Sequence, residues 1–358
     1  SVEKKSAAVK KTDKNSTKKK SALQIKSVAK KTSSKSMTKE EAIKKASFPI
    51  VAIGASAGGL EAITELLKNL PVDTGMAFIY VQHLSPDHKS LLVQILSKTT
   101  AMKVQEIDNM DLIEPNNVFV IPFNKGIEVT DGHIKLLPRS KTSSVVSIDV
   151  LFSSLAEAQN DRVIGVLLSG NGNDGTSGMR DIKHQGGLTF AQNESAKFLS
   201  MPQSAIAAGA VDFILPPKGI ALELIHLSKH PFVKNRKIKV ESESLIENDN
   251  PDLKKILDLL HKTTGGDFTL YKMNTIKRRI VRRMLLYRIK TISEYVKLLN
   301  EKTEEVEILY QDLLINVTSF FRETDTYKYL KSSLLPRLIK SKKDGETLRI
   351  WVPACSTG

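Results

Sequence analysis

Three side chains in the first half of the sequence have the types and places for nucleophilic chemistry: Ser56, His83 and Asp174. Ser56 lies in Gly54-Ala55-Ser56-Ala57-Gly58-Gly59, directly after the apolar run Ile50–Ile53. This fits G-x-S-x-G at a strand-to-helix turn, where small neighbours permit the bend and expose the serine oxygen. A helix starting behind the turn offers free backbone N–H groups and the positive end of its dipole. Those groups suit an oxyanion, and they equally suit a phosphate. His83 follows the apolar run Ala77–Val81 in "FIYVQHLSPDH", and Asp174 sits among glycines in "VIGVLLSGNGNDGTSG". A serine, a histidine and an acid leaving three strand ends are the parts of a base-activated alcohol. The imidazole takes the hydroxyl proton, and the carboxylate fixes the tautomer and stabilises the imidazolium.

Spacing alone leaves other readings open. The turn can cradle a phosphate, His83 can be a structural strand-end residue, and Asp174 can be a turn-former. The chain order Ser, His, Asp differs from the Ser, Asp, His of α/β-hydrolases. A dinucleotide fingerprint fits poorly, because Ser56 takes the place of the middle glycine and no acid ends the Ala77–Val81 run. Asp149, behind Ser147 at a helix start, suits the dipole there and ranks below Asp174 as the acid. Asp87 and His88, after Pro86, read as loop or helix-start residues.

The elements that must position these groups follow from pattern. Residues 48–228 read as an α/β domain. Its buried strands are Ile50–Ile53, Ala77–Val81, Asn117–Ile121, Val163–Leu168, Thr189–Ala191 and Asp212–Leu215, each short, apolar and often β-branched. Helix-period stretches lie between them at Leu60–Leu70, Lys89–Lys98, Ile148–Ala158, Gly178–His184 and Pro202–Ala208. Ile127–Leu137 alternates about Asp131-Gly132 and reads as a hairpin. The alternation predicts a doubly wound, mainly parallel sheet, with the reactive residues at the carboxyl ends of its strands. Residues 229–250 are polar, charged and aperiodic and read as a linker. Residues 251–343 read as a small all-α domain, and 344–358 as the first strand and glycine turn of a truncated second α/β domain. A strand without a sheet cannot bury its faces, so a fragment of a longer protein is expected. The absence of an initiator Met agrees with that.

The totals exclude several classes. No apolar run approaches the roughly 20 residues that span a bilayer, and no secretory h-region follows the basic N-terminus. Cys355 is the only cysteine, which rules out an intramolecular disulfide and a thiolate-rich zinc site. A cytoplasmic protein is expected. The net charge is +15, but residues 1–48 hold fifteen Lys against four acids and carry +11 of it. This Lys-rich stretch, assigned as a disordered tail over 1–47, is too poor in apolar surface to order itself. The segment Lys272–Lys290 has eight Lys/Arg and no acid. Its arginines at 278, 279, 282 and 283 fall largely off the Ile276/Ile280/Met284 stripe, as a solvated face or as a surface for an acidic partner. Nucleic acid is disfavoured, because no aromatic stacking platform accompanies the charge.

Five segments in order over residues 50–210, "IGASAGG", "VQHLSPD", "SIDVLFSSLAE", "LLSGNGNDGTSGM" and "AQNESAKFLSMPQSAI", closely resemble the catalytic domain of the CheB family of chemotaxis receptor glutamate methylesterases. The resemblance implies hydrolysis of glutamate methyl esters on receptors, with deamidation of certain glutamines. It implies Ser56 as nucleophile, His83 as base, Asp174 as orienting acid, and the backbone N–H groups of Ala57 and Asn171 as the oxyanion hole. No metal and no cofactor are implied for this reaction. Ala57 stands where Thr is frequent and Asn171 where Met is frequent. Both roles are backbone ones, so activity with some shift in substrate fit is expected. By the same resemblance Met201 is expected near the cleft, with a core role as the equal alternative. Members with an N-terminal receiver domain are controlled by phosphorylation; here the Lys-rich tail takes that place, and that control is not expected.

"NVTSFFRET" (316–324) and "IWVPACSTG" (350–358) resemble the CheR family of receptor methyltransferases, and residues 251 to about 316 resemble its N-terminal domain. The parent protein is thus expected to be a methylesterase–methyltransferase fusion. By this resemblance Asn316, Thr318 and Arg322 contact S-adenosylmethionine, in a site too incomplete here for methylation or strong binding. Three functions stand side by side: the ester hydrolase, a non-catalytic receptor-binding or scaffold module, and a nucleotide-binding domain. A methylated chemoreceptor or similar signalling protein is the expected partner, and the oligomeric state is left open.

Overall fold

The computed structural model describes residues 48–83, 91–108, 112–122, 125–130, 133–138, 148–234, 246–268, 270–314, 324–343 and 345–351. Its first part is a seven-stranded parallel sheet in the order β3-β4-β2-β1-β7-β8-β9. The strands are β1 (Ile50–Ala55), β2 (Ala77–Gln82), β3 (Lys103–Glu106), β4 (Asn117–Val120), β7 (Val163–Leu167), β8 (Leu188–Gln192) and β9 (Phe213–Leu215). β5 (Lys125–Thr130) and β6 (His133–Pro138) pair antiparallel in the register Thr130↔His133, as the alternation there predicts. Every residue of β1, β4, β7 and β8 is buried, as expected where helices cover both faces.

Six helices accompany the sheet: α1 (Gly59–Lys68), α2 (Leu92–Leu96), α3 (Ile148–Gln159), α4 (Thr176–His184), α5 (Ser200–Ala207) and α6 (Pro217–Lys229). One core, with Ile63, Leu66, Phe78, Tyr80 and Leu224, lies on one side of the sheet; the other, with Ile79, Ile148, Phe152, Met179 and Met201, lies on the opposite side. The chain winds outward from β1 first through β2, then through β7. The carboxyl ends of β1 and β7 therefore flank the switch point where such sheets place their sites.

Three elements are absent from the sequence reading. β3 (Lys-Val-Gln-Glu) is an exposed-to-intermediate edge strand with no apolar run to announce it. α6 starts on Pro217, which suits the first helical turn, where the missing N–H is not needed. At the start of the stretch read as linker, α7 (Pro231–Lys234) buries Phe232 and Val233 against the first core.

The helical part comprises α8 (Pro251–Thr264), α9 (Met273–Leu286), α10 (Ile292–Glu301), α11 (Thr303–Leu313), α12 (Thr324–Tyr329) and α13 (Leu335–Lys340), with one π-type turn at Leu330–Leu334. α8 opens with Asn250 accepting from Asp252 N–H and closes at Gly265 with φ 72°. Residues 346–351, expected as an opening strand, form none: they have no strand beside them among the described residues to satisfy their backbone, and Trp351 is 87% exposed. Among the described residues no helix is long and apolar enough to cross a membrane.

Candidate active site

Ser56 occupies the first position past the end of β1, and His83 the first past β2. β1 and β2 pair with Ala55 opposite Gln82, so the two residues are neighbours at the next register step. The His83 N–H donates to the Ala55 carbonyl at 3.1 Å and the Ser56 N–H to the Ser169 carbonyl at 3.0 Å. The bend is built from glycine. Gly58 has φ 73°, and a Cβ there would lie 2.7 Å from the Ser169 hydroxyl. A Cβ on Gly170 would press on the end of Met201 and lie 2.8 Å from the Cβ of Ser56. The loop after β7 thus passes directly against the serine.

Asp174 lies in that loop, two residues before α4. Its Oδ2 is 2.8 Å from His83 Nε2 and also accepts the Ile148 N–H at 2.8 Å. Its Oδ1 accepts the N–H groups of Asp149 and Gly175, both at 3.0 Å. The first two residues of α3 therefore find their acceptor in Asp174, although Asp149 is nearer in sequence. In return Asp149 Oδ1 accepts the Gly178 N–H of α4 at 2.7 Å. Each helix start is capped by an acid from the other. Burial pushes the Asp174 carboxyl up, but the His83 hydrogen bond and the N–H groups of Ile148 and Asp149 outweigh it and hold the group at about 2. Asp149 is raised, first by burial and then, against its Gly178 bond, by the neighbouring Asp174 charge.

With Nε2 directed at the carboxylate, His83 keeps Nδ1 for other work. The Ser56 hydroxyl makes no hydrogen bond among the described residues, and the residue is half-buried. The N–H groups of Ala57 and Asn171 likewise have no acceptor among the described residues. Met201 is fully buried against Gly170. Asn316, Thr318, Arg322, Asp87 and His88 lie outside the described residues. Among the described residues no group of three metal-binding side chains gathers.

Two supports escaped the sequence reading. Tyr80, fully buried, donates to Gln82 Oε1 at 2.8 Å, and Gln82 Nε2 donates to the Ser56 carbonyl at 3.3 Å. Ser169, also fully buried, donates to the Ala57 carbonyl at 2.8 Å and accepts the Phe198 N–H at 3.0 Å, while Gln192 Oε1 accepts its own N–H at 2.9 Å. Both chains of contacts end on backbone atoms of the serine turn. A glutamine ending the β2 run, and a serine and glutamine ending β7 and β8, were the signals available.

The basic segment differs from its reading. Arg279, Arg282 and Arg283 are 3%, 1% and 9% exposed. Arg283 pairs with Glu305 of α11. Arg282 pairs with Asp312 at 3.0 Å and with Asp212, before β9. Three of the four arginines on the polar side of α9 thus face acids and carbonyls of the chain itself, so they form neither a solvated face nor a free surface for a partner; Arg278 is half-buried.

Over residues 51–224 the sequence matches the CheB methylesterase family, and over residues 251–314 the CheR methyltransferase all-alpha domain. A putative protein-glutamate methylesterase/protein-glutamine glutaminase of Leptospira interrogans is 33% identical over 51% of this chain and 96% of its own length. An uncharacterised 104.1 kDa protein of Rhodobacter capsulatus is 29% identical over 75% of this chain, which spans 30% of that protein. The Thermotoga maritima CheB methylesterase catalytic domain is 30% identical, covering 50% of this chain and 98% of its own, with a TM-score of 0.47. The chain belongs to the CheB methylesterase family, with an all-alpha domain of CheR type following the esterase domain.

Proposed function

We propose that the chain hydrolyses methyl esters of glutamate side chains on a chemoreceptor-type protein through Ser56, His83 and Asp174. The observation that carries this reading is the 2.8 Å contact between His83 and an Asp174 fixed by three backbone N–H groups, one register step from a serine on a glycine turn. Asp174 holds the proton on Nε2, leaving Nδ1 to receive the Ser56 proton as the oxygen attacks the ester carbonyl. The open N–H groups of Ala57 and Asn171 stabilise the oxyanion. The imidazolium then protonates the departing methoxide, releasing methanol and leaving a glutamyl ester on Ser56. Water, deprotonated by the same nitrogen, attacks that ester and frees the glutamate and Ser56. The same cycle on a glutamine amide releases ammonia. The esterase reaction uses side chains and water alone; S-adenosylmethionine belongs to the methyltransferase activity proposed for the CheR-type region. A cytoplasmic location, facing receptor tails, goes with this reading.

Methanol release from a methylated receptor tests the proposal. Ser56→Ala and His83→Ala should each lower kcat by roughly 10⁴–10⁶, and a fluorophosphonate should label Ser56 in the native protein only. Methanol release undiminished in Ser56→Ala rejects it.

A further inference from the structure

We propose that Arg279, in the helical domain, is a positioning residue for Asp174 and acts through α4. This rests on the triad reading above. α4 has nine residues, about 13 Å of helix, and only Gly178, Met179 and Ile182 are buried. Its middle packs on α3, with Gly178 against Phe152 and Asp181 accepting from the Ser153 hydroxyl at 2.5 Å, and its two ends are held by polar contacts. At the amino end the exchange of caps with α3 holds Asp174 against His83. At the carboxyl end the fork of Arg279 spans the last two carbonyls: Nη1 donates to Lys183 O at 2.7 Å and Nη2 to His184 O. A buried cation there also meets the negative end of the helix dipole. Burial, with Arg282 adding to it, lowers Arg279 to about 10, so it stays charged at neutral pH.

One turn on, Arg282 Nε donates to the Gly187 carbonyl at 3.1 Å, in the connection from α4 to β8. Lys183 of α4 itself reaches Gly209 O at 2.9 Å and Asp212 at 3.5 Å. The far end of α4 is thus fastened by Arg279 of the helical domain together with the contacts of Lys183 to Gly209 and Asp212 of the esterase domain, and the near end carries the triad acid. A helix this short moves as a rod. Loss of the fork lets α4 shift, and the shift appears where Asp174 meets His83.

The test uses the full chain and a peptide γ-glutamyl methyl ester. Arg279→Ala should lower kcat about 10- to 100-fold, the cost of a displacement near 1 Å, with KM little changed and the rate of fluorophosphonate labelling of Ser56 reduced in parallel. Arg279→Lys, which replaces the fork by one donor, should fall between. Arg288→Ala is the control: Arg288 pairs with Glu223 of α6 across the same seam without touching α4, so its kcat should match the native value. The proposal is overturned by native kcat in a folded Arg279→Ala. Equal losses in Arg279→Ala and Arg288→Ala, which mark general loosening of the seam, also overturn it. If Arg279→Ala does not fold, native kcat in Arg279→Lys overturns it. Activity that survives Ser56→Ala overturns the triad and this proposal together.

Discussion

Asp174 is kept ionised against its own burial, and that has a measurable price at low pH. Its folded pKa of about 2 lies below the ordinary value of 3.8. The stabilisation is therefore complete above about pH 4 and is lost as pH falls towards 2. It amounts to about 2 kcal/mol, with the side chain 21% exposed. The stability gap between the native protein and Asp174→Asn should shrink across that window in urea titrations; a constant gap would contradict the assignment. Gly170 offers a second probe. A methyl there meets Met201, which can yield, and the Cβ of Ser56, which cannot. Gly170→Ala should cost about 1–3 kcal/mol of stability by overpacking and, on the proposed mechanism, about 100-fold in kcat by displacing Ser56. Native turnover in this variant would show that the loop gives way instead. Ser56, His83 and Asp174 stood out in the sequence because each ends an apolar run or sits in a glycine loop. Tyr80, Gln82, Ser169 and Gln192 were not, because their partners are backbone atoms or side chains brought close only by the sheet.

Among the elements, the parallel strands were read from their apolar runs, since burial on both faces leaves that signature. β3 has no such run and is known only by its pairing with β4, Val104 opposite Val118. α9 shows a different limit. The Ile276/Ile280/Met284 stripe was visible, but periodicity says nothing of what covers the opposite side. Three arginines there are buried because Asp212, Glu305, Asp312 and free carbonyls meet them. α10 carries a local signal that pairing did not override: Thr291 accepts the Glu294 N–H, and Glu294 accepts the Thr291 N–H at 3.2 Å. This capping box predicts that Thr291→Ala costs about 1 kcal/mol. Amide exchange at the start of α10 should quicken by about fivefold, with exchange in β1 unaffected. Unchanged exchange at 292–294 would mean that packing alone fixes the helix start.

Across the whole molecule, the charge excess and the seam between domains act separately. The +11 stretch at the N-terminus accounts for most of the basic character, whereas at the seam Arg282, Arg283 and Arg288 are matched by acids and Arg279 by carbonyls. One apolar core runs from Val51 and Phe78 of the sheet through Leu224 and Phe232 to Ile256, Ile280 and Leu309 of the helical domain. Through that core passes Arg282, 1% exposed, between Asp212 of the esterase domain and Asp312 of α11. Asp212 also accepts from the Thr189 N–H and hydroxyl, both at 3.0 Å, so the pair is fixed to β8. Ion pairs as deep as this contribute little net stability when intact, because desolvation offsets attraction, but removing one partner leaves the other charge stranded. Arg282→Ala leaves Asp212 only Lys183 at 3.5 Å and Asp312 only Arg283 at 3.8 Å as cationic partners, and should cost about 3 kcal/mol. A shared core and a shared cation also mean that the two domains should melt together. Calorimetry should show one transition for the native chain. In Arg282→Ala, the midpoint should fall and the helical domain should melt first. Two transitions in the native chain, or an unmoved midpoint in the variant, would mean that the domains hold themselves up independently and that the arginine only bridges them.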